Sequence, residues 1–175
     1  MPATYTLIQS TVLASTQTII SFTSIPSTYT DLVLRISART NASGAVNDSI
    51  EITFNSDTST NYSTTVLIGN GSAVSSDKYS NNVPGRAWYS ATGNSATAST
   101  FSNAEIYIPN YLASQNKPYS AFSVNETNAT AVLMGATAGL WRNTSAITSI
   151  TLDPLDGAAT FQIGSSFYLY GISNA

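Results

Sequence analysis

Short runs of alternating apolar and polar residues recur along the whole chain, and no helical period of about 3.6 residues is sustained anywhere. That pattern restricts the fold more than any other feature. Successive side chains of a strand point to opposite faces, whereas a helix brings one face round only every third or fourth residue. The stretch TYTDLVLRISART, residues 28–40, is the clearest case. Leu32, Leu34, Ile36 and Ala38 share one face; Val33, Arg35, Ser37 and Arg39 share the other, as in a half-buried strand with a charged outer face. In SIEITF, Ile50, Ile52 and Phe54 point inward while Glu51 and Thr53 point out.

Eleven strands are expected, at 4–9, 18–23, 31–39, 49–55, 62–68, 86–91, 101–108, 118–125, 130–138, 146–152 and 166–172. Turn signals rich in Gly, Asn, Pro and Ser separate them, and YLASQN at 111–116 has the composition of a single helical turn. This spacing predicts an all-β protein, an antiparallel β-sandwich of jelly-roll type, with residues 1–175 forming one domain. The segment 69–100 holds few apolar residues around the AWY island and reads as long loops, either functional or merely exposed. SSFYLYGI at 165–172 is apolar at both parities, which fits a central strand or one covered by a neighbouring subunit.

Composition narrows the chemistry. Charged residues make up 9% of the 175, with a net charge of −3, and Ser, Thr and Asn supply the polarity instead. The six basic residues, Arg35, Arg39, Lys78, Arg86, Lys117 and Arg142, are scattered, so no phosphate-binding patch and no nucleic-acid partner are expected. No apolar run nears the roughly 20 residues that span a bilayer, and MPATYTLIQS lacks the profile of a secretory leader. A soluble chain with no membrane partner is the expectation.

Without histidine or cysteine there is no Ser–His–Asp or Cys–His arrangement, and no zinc site of the usual kind. Lys78 and Lys117 lie in polar segments that read as solvated, where an amine stays protonated and makes a poor base for a neighbouring serine. The same solvated reading argues against a lysine–asparagine crosslink, which needs a buried lysine beside an acid. Glu51, Glu105 and Glu126 are the candidates for a glycosidase pair, but Glu51 and Glu105 alternate with apolar neighbours, which places them on outer sheet faces as solvated strand residues. Asn55 and Asp57, and Asp153 and Asp156, offer oxygens in turns for calcium; capping of their own backbone is the favoured reading. Seven Asn-x-Ser/Thr triplets, at Asn41, Asn47, Asn61, Asn70, Asn125, Asn128 and Asn143, reflect the composition. No catalytic residue, metal or cofactor is therefore expected. Trp88, Tyr89 and Trp141 are the candidates for stacking on a glycan.

The stretches SIPSTYTDLVLRISART, NDSIEITFNSDTSTNYS, AEIYIPNY, TAGLWRNTSAITSITL and SSFYLYGI together resemble small β-sandwich virion structural proteins of tailed bacteriophages. The likeness covers nearly the whole chain and carries no catalytic signature. It implies a non-enzymatic virion protein assembled in the host bacterial cytoplasm, with a capsid decoration (cement) subunit preferred. A tail-fibre or tail-appendage subunit with a carbohydrate-binding role is the alternative. It further implies other virion proteins as partners, the major capsid protein or tail proteins, and association into a homo-oligomer, a trimer being one form.

Overall fold

Alternation becomes pairing in the computed structural model, which describes residues 4–82, 84–128 and 132–173. Twelve strands form: β1 (Tyr5–Val12), β2 (Ile20–Phe22), β3 (Asp31–Ser37), β4 (Asn47–Phe54), β5 (Tyr62–Gly69), β6 (Val74–Asn82), β7 (Gly85–Thr92), β8 (Asn103–Ile108), β9 (Lys117–Asn125), β10 (Leu133–Trp141), β11 (Ile150–Pro154) and β12 (Ser166–Ile172). They make two antiparallel sheets, one of eight strands in the order β1-β12-β3-β8-β9-β10-β5-β6 and one of four in the order β2-β11-β4-β7. The fold is an all-β sandwich, and among the described residues no helix is long and apolar enough to cross a membrane.

The pairing is nested. β1 pairs with β12, β2 with β11, β3 with β8 and β4 with β7, so the chain rolls up from its two ends toward its middle. The half-sheet β1-β12-β3-β8 lies over β2-β11-β4-β7 and makes the body of the sandwich. The other four strands, β9-β10-β5-β6, form a wing: β7 packs against β9 and β10, and the large sheet runs on beyond it through β5 to β6.

The body's core is built from the alternations read in the sequence. Leu32, Leu34, Ile36 and Ala38 are buried and meet the buried Ile50, Ile52 and Phe54, together with Ile150 and Leu152. Burying each such aliphatic side chain contributes roughly 1.5–3 kcal/mol. On the other face of β3, Arg35 is exposed as expected, but Val33 is buried, because Tyr170 and Tyr107 stand opposite it on the flanking strands. β12 is central in its sheet, between β1 and β3: its Phe167 and Leu169 enter the core while Tyr168 and Tyr170 stay half-buried outside.

A smaller cluster joins wing to body. Val66 and Ile68 of β5 pack with Trp88 of β7 and with Tyr79, Tyr89, Leu133 and Leu155. At the base of the wing, Trp141 lies within an aromatic group, 5.5 Å from Phe54 and stacked 6.4 Å from Tyr62. Gly139 is required there, since a Cβ would fall 2.0 Å from the Tyr119 ring.

Three expectations are corrected. The segment 69–100 is mostly strand: β6 and β7 occupy it, and Arg39 holds the following loop through its guanidinium, which donates to the carbonyls of Asn94, Ala96, Thr97 and Thr100. β6 escaped notice because VSSDKYSNN buries neither face, so it carries no apolar rhythm. Residues 111–116 form turns without a helix, closed by Lys117. That lysine opens β9 and is fully buried, its Nζ donating to the carbonyls of Ala113 and Gln115 at 2.6 Å each. Burial lowers its pKa, and these carbonyls satisfy it in place of water. The strand expected at 130–138 begins at Leu133 and ends at Trp141; 130 and 131 lie outside the described residues.

Candidate functional site

The residues singled out from the sequence scatter over the molecule. Trp141 is completely buried, and its indole Nε1 donates to Asp57 Oδ2 at 2.8 Å. Trp88 is 9% exposed; Tyr79 stacks on it at 4.7 Å, and the Arg86 guanidinium sits 5.2 Å from its ring. Neither indole offers an open face, which corrects the expectation of glycan stacking at Trp88 and Trp141. The local cause at Trp88 is a bulge. Register shifts between β4 and β7 at Tyr89, whose φ is 55°, while Ser49 Oγ accepts from Tyr89 N and Ser90 Oγ from Ile50 N. Tyr89 is half-buried against Trp88, at 5.9 Å.

The glutamates do not assemble. Glu51 lies on the outside of the four-stranded sheet, Glu105 on the outside of the eight-stranded one, and Glu126 in the exposed stretch after β9. Each has its own partner: Arg86 Nε at 3.5 Å for Glu51, Arg35 Nη2 at 2.8 Å for Glu105, the Asn128 amide for Glu126. A different carboxylate pair forms, because register sets Asp153 opposite Glu51. Burial raises both pKa values, as it does that of Asp48, with Arg86 pulling Glu51 back.

Asp57 and Asp156 cap backbone in their own turns, as expected, whereas Asp153 lies within β11 and Asn55 reaches a distant segment. Asp57 accepts from Ser59 N, Asn61 Nδ2 and Trp141 Nε1; burial works to raise its pKa, but these donors outweigh it and hold the carboxyl far below its ordinary range. Asn55 Oδ1 accepts from the amides of Thr148 and Ser149, and Asp156 Oδ1 from that of Ala158. Among the described residues no three acids gather as a cation site would need.

The surface with binding character lies elsewhere, on the outside of the wing. Register carries one row across the sheet from Arg35 to Glu105, Phe122, Ala136 and Leu67, and the next from Val33 to Tyr107, Ser120, Ala138 and Thr65. The small side chains in the middle leave a shallow depression of about 480 Å³, with Phe122, Tyr107 and Leu67 around it. Phe122 is 52% exposed and Leu67 54%. Tyr107 is held upright by its hydroxyl, which donates to Asp31 Oδ2 at 2.9 Å; burial first, then the Asp31 bond, raises its pKa. A second depression of about 360 Å³ adjoins the first and shares Thr65 and Ala138 with it.

Sequence reading missed these residues. PYSAFSVN puts Tyr119 and Phe122 on opposite faces, and alternation alone does not say which aromatic is inside. Tyr119 is buried beneath Gly139, so Phe122 is the exposed one.

The fold and face together define a two-sheet β-sandwich that displays a shallow, mostly uncharged surface. No protein-family model, curated protein or solved structure matches the chain.

Proposed function

We propose that this chain is a non-enzymatic virion structural protein of a bacteriophage, a capsid decoration subunit carried in many copies on the particle surface. The observation that carries the reading is β6. Its backbone pairs only with β5 among the described residues, and all its residues but Tyr79 and Asn82 are exposed. Paired strands that bury no face are marginal in water by themselves. A long outer strand without proline is also a template for a further strand. A subunit built to join neighbours accounts for both, since a neighbour's strand would complete the edge.

Two features support the reading. The nested order β1-β12-β3-β8 over β2-β11-β4-β7 is that expected of a jelly roll, an architecture that recurs in capsid and lectin domains. That support is an analogy of fold, and the edge strand supplies the argument from this molecule. The outer faces also carry two pairs of opposite charge, Arg35 with Glu105 and Arg86 with Glu51, which suits a coat exposed to water.

Gel densitometry of purified particles that encode this chain tests the proposal. Hundreds of copies per particle are expected. Tens or fewer would replace the decoration role by a tail appendage, and absence from the particle would overturn both.

A further inference from the structure

We infer that the outer face of the wing is a binding site for a neutral oligosaccharide, centred on Ala136 and Ala138. The inference does not rest on the virion reading. The two adjoining depressions, about 480 and 360 Å³, form one trough because they share Thr65 and Ala138. Each falls within the range of sites for small ligands, roughly 300–1,000 Å³. Phe122 stands as a wall, with a further hollow of about 180 Å³ on its other side, so a linear chain of sugar units matches the shape better than a single compact ligand.

The chemistry of the lining selects the class. Phe122 and Tyr107 offer ring surface to the C–H face of a pyranose. The hydroxyls of Thr65, Ser76 and Ser120 border the same depression and have no hydrogen-bond partner among the described residues. Glu105 gives Oε2 to Arg35 at 2.8 Å, which neutralises it, while Oε1 remains open to accept from a sugar hydroxyl. In the second depression Arg142 is taken up by Thr60 O and Asn81 Oδ1 and Lys78 stands at its border, so the first depression, with its open hydroxyls and one matched acid, sets the preference for a neutral polyol. The floor of methyl groups is too shallow to seat the large anchoring side chains that dominate protein interfaces.

The test is saturation-transfer NMR on the full chain with maltose, lactose, chitobiose and digalacturonate. At least one neutral disaccharide is expected to bind with a Kd on the order of 1 mM. Phe122→Ala and Ala136→Leu should each weaken it at least tenfold, whereas Ser21→Ala, on the outside of the four-stranded sheet, should leave it unchanged. If Ala136→Leu fails to fold, Phe122→Ala decides, because its half-exposed ring is not part of the core. Three results overturn the inference: no transfer to any neutral sugar, binding undiminished in the foldable trough variants, or preference for digalacturonate that vanishes with salt.

Discussion

β3 and β6 are strands of one sheet, five places apart, yet they are held by different forces. β3 lies under the four-stranded sheet and buries Leu32, Leu34 and Ile36 completely or nearly so. β6 lies beyond the edge of that cover and buries none of its nine side chains. The body is stabilised by apolar burial, which scales with area removed from water. The tip of the wing is held mainly by ladder hydrogen bonds, each contributing only about 0.5–1.5 kcal/mol net, and by Tyr79 stacked on Trp88 under Arg86. A sheet can therefore continue past its core, and what it does there is present a surface.

The sharpest way to break this comparison is Ile36→Asp. An unpaired carboxylate in the body core should cost about 4 kcal/mol or more, and a urea titration followed by circular dichroism should show no cooperative transition. A folded Ile36→Asp would mean that the body is not the core. At the junction of wing and body, Trp141→Ala should cost about 3–5 kcal/mol, read as a lower urea midpoint. A loss below about 1 kcal/mol would show that the aromatic group around Phe54 does not anchor the wing.

Asp57→Ala should cost about 1–3 kcal/mol, since it strands the buried Trp141 N–H. Its pH dependence carries a sign. The folded carboxyl lies below its ordinary value of 3.8, so its contribution is present above that value and is lost as the pH falls below it. The gap in thermal midpoint between native protein and Asp57→Ala should accordingly narrow in acid. Asp153, on the body, has the opposite sign: burial raises its pKa, so its charge destabilises once the pH rises through that raised value. Asp153→Asn should raise the midpoint slightly near neutral pH and lose that advantage in acid. The smallest effect belongs to Arg35→Ser, whose exposed pair with Glu105 is worth at most about 1 kcal/mol. A severe loss there would invert the faces assigned to β3.

What could be read from the chain was the part where burial and alternation coincide. Leu32, Leu34 and Ile36, and Ile50, Ile52 and Phe54, announce an inner face because water is excluded from one side of their strands only. Turn capping by Asp57 and Asp156 was legible for a similar reason, since each accepts from the amide two residues on, whereas Asn55 reaches across to Thr148 and Ser149. The candidate site was not legible. Trp88 and Trp141 are the residues an open stacking surface would use, but a bulge turns one toward the wing and the aromatic group at the wing's base encloses the other. Lys117 looked solvated because its neighbours are polar, yet the carbonyls that satisfy it come from the turn just before it.

The amino-acid order alone determined that this chain would make short antiparallel strands with one greasy side, because period-two patterning admits no other regular structure. Only the tertiary structure decided which of two aromatic parities on β9 faces water, and that the large sheet outruns its partner to leave β6 bare. Those outcomes depend on how far each sheet extends over the other, a property of the assembled layers that no single strand's pattern contains.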